Sequence, residues 1–70
     1  MGDSLQIKVG KCIQEIRYKK KISQQDLAAK CNFEKSNMSR LEAGKVNPTL
    51  STLEKISNAL EVNITELFNF

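Results

Sequence analysis

Apolar positions recur at helical spacing along most of the 70-residue chain. Val9, Ile13 and Ile16 succeed one another at +4 and +3, which places them on one stripe of a helix from Leu5 to Lys21 flanked by Leu5 and Cys12. The other face carries Lys8, Lys11, Gln14 and Glu15, and Lys19–Lys21 ends the helix where cations suit the negative pole of its dipole. Ser23 with Asp26 three residues on approximates a capping box. It opens a short helix from Gln24 to Cys31 with Leu27, Ala28 and Cys31 inward. Asn32, tolerant of positive φ, stops that helix, and Phe33 supplies an apolar anchor. The next helix runs from Lys35 to Ala43 with Met38 and Leu41 inward and Gly44 as its C-cap. After the loop Lys45–Pro48, Thr49 caps a helix from Leu50 to Glu61 with Leu53, Ile56 and Leu60 inward. Asn63 and Glu66 stand at capping-box spacing and open a last short helix holding Ile64, Leu67 and Phe68. The pattern predicts five helices, no strand and a single all-α domain over residues 5–70. Met1–Ser4 is expected to be a disordered start.

Composition adds two facts to this picture. Leu, Ile, Val and Phe make up 19 of the 70 residues, enough for a folded core. A chain of this length nevertheless buries only about 60% of its unfolded surface, so its stability is marginal without reinforcement. Charge is uneven: residues 1–45 hold ten basic and five acidic side chains, residues 46–70 one and three. A basic segment followed by a mildly acidic one suggests a face for a polyanion and a second part with another task.

Several function classes drop out. There is no His, the usual general base and the commonest metal ligand. Cys12 and Cys31 lie 19 apart with no ligand cluster, which is not zinc spacing. They read as reduced core residues, a single disulfide remaining possible in principle. No phosphate loop, dinucleotide fingerprint or nucleophile elbow is present. No apolar run is long enough to span a membrane, and no signal-peptide core is seen. A cytoplasmic, non-enzymatic protein with no cofactor, no metal, no catalytic residues and no membrane partner is expected.

The informative stretch is Gln24–Ala43, QQDLAAKCNFEKSNMSRLEA. Two short helices joined by a tight turn cross steeply and share a small core. Leu27, Cys31, Phe33, Met38 and Leu41 supply that core, Ala28 the small residue at the crossing and Asn32 the turn. Together with Ser23-Gln24-x-x-Leu27-Ala28, Met38-Ser39-x-Leu41-Glu42-x-Gly44, Pro48-Thr49-Leu50 and Leu53-x-x-Ile56-x-x-Ala59-Leu60, the chain resembles the Cro and phage lambda repressor family of helix-turn-helix regulators of the XRE type. The resemblance covers roughly Val9 to Phe68 and implies a compact five-helix, lambda-repressor-like DNA-binding domain with its motif at residues 24–43. Two departures stand out: Asn32 replaces the family's usual turn glycine, and Glu34 replaces the usual Ser, Thr or Asp cap of the second motif helix. Glu34 is compatible with reading a cytosine amino group or with pointing away from DNA.

The resemblance implies that the second motif helix enters the major groove. Lys35, Ser36, Asn37 and Arg40 then fall where base-edge readers lie, Arg40 suited to guanine and Asn37 to adenine. Outside the motif they would pass for ordinary exposed polar residues. Gln24, Lys45 and Asn47 fall at phosphate-contacting positions, while the Lys19–Lys21 run fits either a solvated helix end or a DNA-facing stretch. Arg17 and Glu42 match a structural ion pair of the family, expected to lock the first helix to the recognition helix. The C-terminal Val62, Ile64, Leu67, Phe68 and Phe70 are too many apolar groups for so short an element. Ile64 and Leu67 suit closure of the core, Phe68 and Phe70 a two-fold dimer interface. The expected function is a sequence-specific transcriptional regulator that binds a near-palindromic double-stranded DNA operator as a homodimer, without a small-molecule effector and acting by occupancy alone. An antitoxin, a restriction–modification controller of the same fold, and a protein-interaction module that has lost DNA binding are the alternatives.

Overall fold

The computed structural model describes residues 4–70. Its elements are α1 (Leu5–Lys19), α2 (Gln24–Lys30), α3 (Lys35–Glu42), α4 (Leu50–Leu60) and a terminal 3-10 helix (Ile64–Phe68). The fifth helix of the sequence pattern is therefore a 3-10 turn, with its five residues too few to settle into an α-helical repeat. Helix boundaries otherwise fall within two residues of expectation, the usual latitude for helix ends. Ser4, expected in the disordered start, is instead ordered as the N-cap of α1, its hydroxyl accepting from the Ile7 N–H at 3.3 Å. The remainder of that start, residues 1–3, lies outside the described residues.

The helices stop by one repeated device. Lys21, Asn32, Gly44 and Glu61 all hold left-handed backbone, with φ of 58°, 60°, 74° and 58°. At each stop the next N–H reaches back to the last turn: Ile22 to Arg17 O, Phe33 to Ala28 O, Lys45 to Arg40 O and Val62 to Ser57 O, at 2.8–3.0 Å. This is the Schellman motif, in which a left-handed residue lets the backbone fold over and satisfy its own terminal carbonyls. An apolar residue directly after the stop then drops toward the core at Ile22, Phe33 and Val62. At the other ends, Ser23, Thr49 and Asn63 accept N–H bonds as caps, while Glu34 before α3 makes no capping bond and is exposed.

α2 packs on α3 as the steep pair of the motif, and α1 crosses behind α3. α4 and the 3-10 helix close the other side. Ile13, Leu27, Met38, Ile56, Leu60 and Leu67 are the large, fully buried side chains, so every element contributes to one core. Both cysteines are free and buried within it. Burial pushes the Cys31 thiol pKa up, although Lys55 nearby partly offsets this. Gly10 sits where α1 meets the end of α3: a Cβ there would lie 2.4 Å from the Glu42 carbonyl oxygen. Only a glycine lets the two backbones come this close.

Candidate nucleic-acid interface

α3 has two chemically distinct sides. Met38, Leu41 and Glu42 are buried, whereas Lys35, Ser36, Asn37 and Arg40 are exposed. The four candidate base readers thus share the outer surface of one short helix. Arg40 Nη2 donates a hydrogen bond to Asn37 Oδ1, so two of them are paired with each other. Asn37 also lines a shallow apolar depression with Phe33, Leu41, Val46 and Thr52, which brings the α3–α4 loop beside the reading helix. Lys45 and Asn47 stand exposed in that loop. Lys35 shares a cleft with Ser23, Gln24 and Gln25, and so lies against the start of α2.

What holds α3 in place is a polar cluster at its inner end. Arg17 Nε donates to Glu42 Oε2 at 2.8 Å, and Arg17 Nη2 to Glu42 Oε1 at 2.9 Å. The two side chains are only 7% and 2% exposed. Arg17 Nη1 also donates to Ile22 O at 3.0 Å. Hydrogen bonding to Glu42 raises the Arg17 pKa above its ordinary value, outweighing the opposing effect of burial. Gln24 Nε2 completes the cluster, donating to Glu42 Oε1 at 3.1 Å. No buried side-chain polar atom among the described residues lacks a partner. The bidentate geometry fixes orientation as well as distance. Through Glu42, α1 and the first turn of α2 therefore both set the angle of α3.

Gln24 was expected to face phosphate, and the structure gives it this internal bond as well. Its amide carries two N–H donors, so one is spent on Glu42 and one remains.

The exposed apolar groups form a second surface. Phe68 and Phe70 are 37% and 59% exposed with ring centroids 6.4 Å apart, and the Lys8 ammonium lies 5.5 Å from the Phe70 centroid. Phe68 borders a groove lined by Leu5, Val9, Pro48, Leu50 and Leu53. Leu5 and Leu50, in the first turns of α1 and α4, project beyond the core, and the sequence pattern does not single them out as surface groups. Their signal was position: a leucine directly after a cap has no preceding turn to cover it. Asn47 also lines this groove. No group of side chains able to hold a metal is found among the described residues, nor any helix long and apolar enough to cross a membrane.

Comparisons with known proteins agree with this geometry. Control protein C.BamHI of Bacillus amyloliquefaciens is 34% identical over 71 residues, covering 100% of this chain and 88% of the control protein. The immunity repressor protein of Bacillus phage phi105 is 37% identical over 59 residues, 84% of this chain. The chain spans only 41% of that repressor's length. The crystal structure of the restriction-modification controller protein C.AhdI from Aeromonas hydrophila matches with a TM-score of 0.86 at 32% identity, over 89% of this chain and 94% of the controller. Residues 12–70, which include both motif helices and the Arg17, Gln24 and Glu42 cluster, match the Cro/C1-type HTH DNA-binding domain. The chain belongs to that family of helix-turn-helix DNA-binding domains.

Proposed function

We propose that this chain is a sequence-specific transcriptional regulator that binds a near-palindromic DNA operator as a homodimer. The observation that carries the reading is α3 itself: Lys35, Ser36, Asn37 and Arg40 all face outward on a helix whose other side is anchored by Met38, Leu41 and a buried ion pair. Such a helix fits the major groove, where these side chains meet base edges. Lys45, Asn47 and the remaining N–H of Gln24 contact phosphates on either side. Phe68 and Phe70 form the two-fold contact, which sets the two reading helices about 34 Å apart. Dimerisation also reinforces a core that is small for an independent domain.

Duplex titration tests the DNA reading. Affinity for bulk duplex is expected to fall steeply between about 50 mM and about 200 mM salt, because Lys and Arg contacts release counterions. A folded protein that binds no duplex at about 50 mM salt overturns the reading and favours an interaction module. Sedimentation tests the dimer: the wild type should be dimeric at micromolar concentration and Phe68→Asp/Phe70→Asp monomeric. A monomeric wild type refutes it.

One observation favours a narrower role as a restriction–modification controller. Control protein C.BamHI is similar to this chain over the chain's full length at 34% identity, and the controller C.AhdI has the same fold over 89% of it at 32% identity. Endonuclease and methyltransferase genes beside the coding sequence support this role, and their absence overturns it.

A further inference from the structure

The hydrogen bond between Arg40 and Asn37 changes what the reading helix can recognise. The two residues are three apart on α3 and therefore neighbours on one face. A guanidinium carries only donors, so the bond from Arg40 fixes which way the Asn37 amide points. The carbonyl faces Arg40 and the amino group faces out. Reading adenine with Asn would need that carbonyl to accept a second hydrogen bond beside the one from Arg40, since adenine offers one donor and one acceptor in the major groove. Guanine offers two acceptors, N7 and O6. With that carbonyl already engaged by Arg40, the groups left free, the Asn37 amino group and the remaining Arg40 N–H groups, are donors, which match guanine. Beneath the pair, Met38 is fully buried and Glu42 is held by Arg17, so the unit rests on a fixed helix. Pairing also restrains both side chains before DNA arrives, lowering the ordering cost of binding.

We propose that Asn37 and Arg40 act as one coupled donor unit selecting guanine in each half-site, rather than as separate readers of adenine and guanine. The proposal rests on the DNA-binding reading above.

The test is selection of bound sites from random duplexes by the wild type, Asn37→Ala, Arg40→Ala and the double variant. Affinities are then measured on the selected duplex and on one with the guanine changed to adenine. Thermal melts confirm that each variant folds, as expected for exposed positions. The wild type should prefer the guanine duplex by at least about tenfold, as a well-made bidentate contact does. Each single variant should lose that preference at the same base pair, and the double variant should bind about as well as either single one. Losses at two different base pairs that multiply in the double variant overturn the coupling, as does a wild-type preference for adenine that Asn37→Ala abolishes. A wild type that binds no duplex overturns the DNA-binding reading itself, a result distinct from binding with independent losses.

Discussion

Replacing Arg17 with Ala removes three hydrogen bonds at once, two to Glu42 and one to Ile22 O. The Glu42 carboxylate would remain 2% exposed in the wild-type packing, with Gln24 still donating to it. Breaking a buried pair by removing one member costs about 3–5 kcal/mol, because the other charge stays desolvated. Each kcal/mol shifts the melting temperature of a domain this size by roughly 4–8 °C. The smallest expected drop is therefore roughly 12 °C. The desolvation argument makes a second, less intuitive claim. Arg17→Met/Glu42→Leu removes both charges and should recover most of the loss, since apolar replacements of buried pairs are often neutral or better. Far-UV circular dichroism melts of the wild type, the single and the double variant measure both. An unchanged Arg17→Ala melt, or a double variant no more stable than the single one, refutes the reasoning. The pH dependence has a defined sign. A base whose pKa is raised in the folded state contributes fully below its unfolded value and loses that contribution only above it, far above neutral pH for a guanidinium. Arg17 titration should therefore add no slope to stability between about pH 6 and about pH 10.

Two further outcomes are expected. Gly10→Ala gains about 1 kcal/mol of helix propensity but drives a Cβ to 2.4 Å from the Glu42 carbonyl oxygen. Overpacking costs about 1–3 kcal/mol and here meets rigid backbone, so a lower urea midpoint is expected, and a higher one would show that α1 slides away freely. Cys31, an acid whose pKa is raised above 9.0, leaves stability unchanged below pH 9.0 and lowers it above, where the unfolded thiol ionises first. Denaturant titrations at pH 8 and pH 10 should show that decline weakened in Cys31→Ala, and an identical decline in both proteins would assign it elsewhere.

The helices were legible because caps and apolar stripes are local. Ser23, Thr49 and Asn63 announce starts, and Asn32 and Gly44 announce stops. Lys21 and Glu61 hold the same left-handed backbone, yet neither residue type signals it. The apolar residues that follow them, Ile22 and Val62, are what the stops deliver to the core. The candidate reading face rests on resemblance alone, since four polar residues on a short helix otherwise describe any solvated surface. What escaped is what depends on tertiary approach. Gly10 looks like a weak helix residue until Glu42 is placed against it. Gln24 looks like a free first-turn side chain until Glu42 Oε1 comes within 3.1 Å. The Arg40–Asn37 bond is local in sequence, but it depends on side-chain conformations that spacing does not specify.

Glu42 meets Gly10 through its backbone and Arg17 and Gln24 through its carboxylate, all at the far end of α3 from Lys35. The residue that aligns α3 is therefore none of the four proposed readers on its outer side. Lys35, Ser36, Asn37 and Arg40 lie outside this cluster and are all exposed, so they can change with little effect on stability. On the proposed DNA-binding reading, substitutions at these four positions retarget the helix to a new site without first rescuing the fold. Grafting another family member's outer α3 residues onto this framework should transfer that member's preference in a single step.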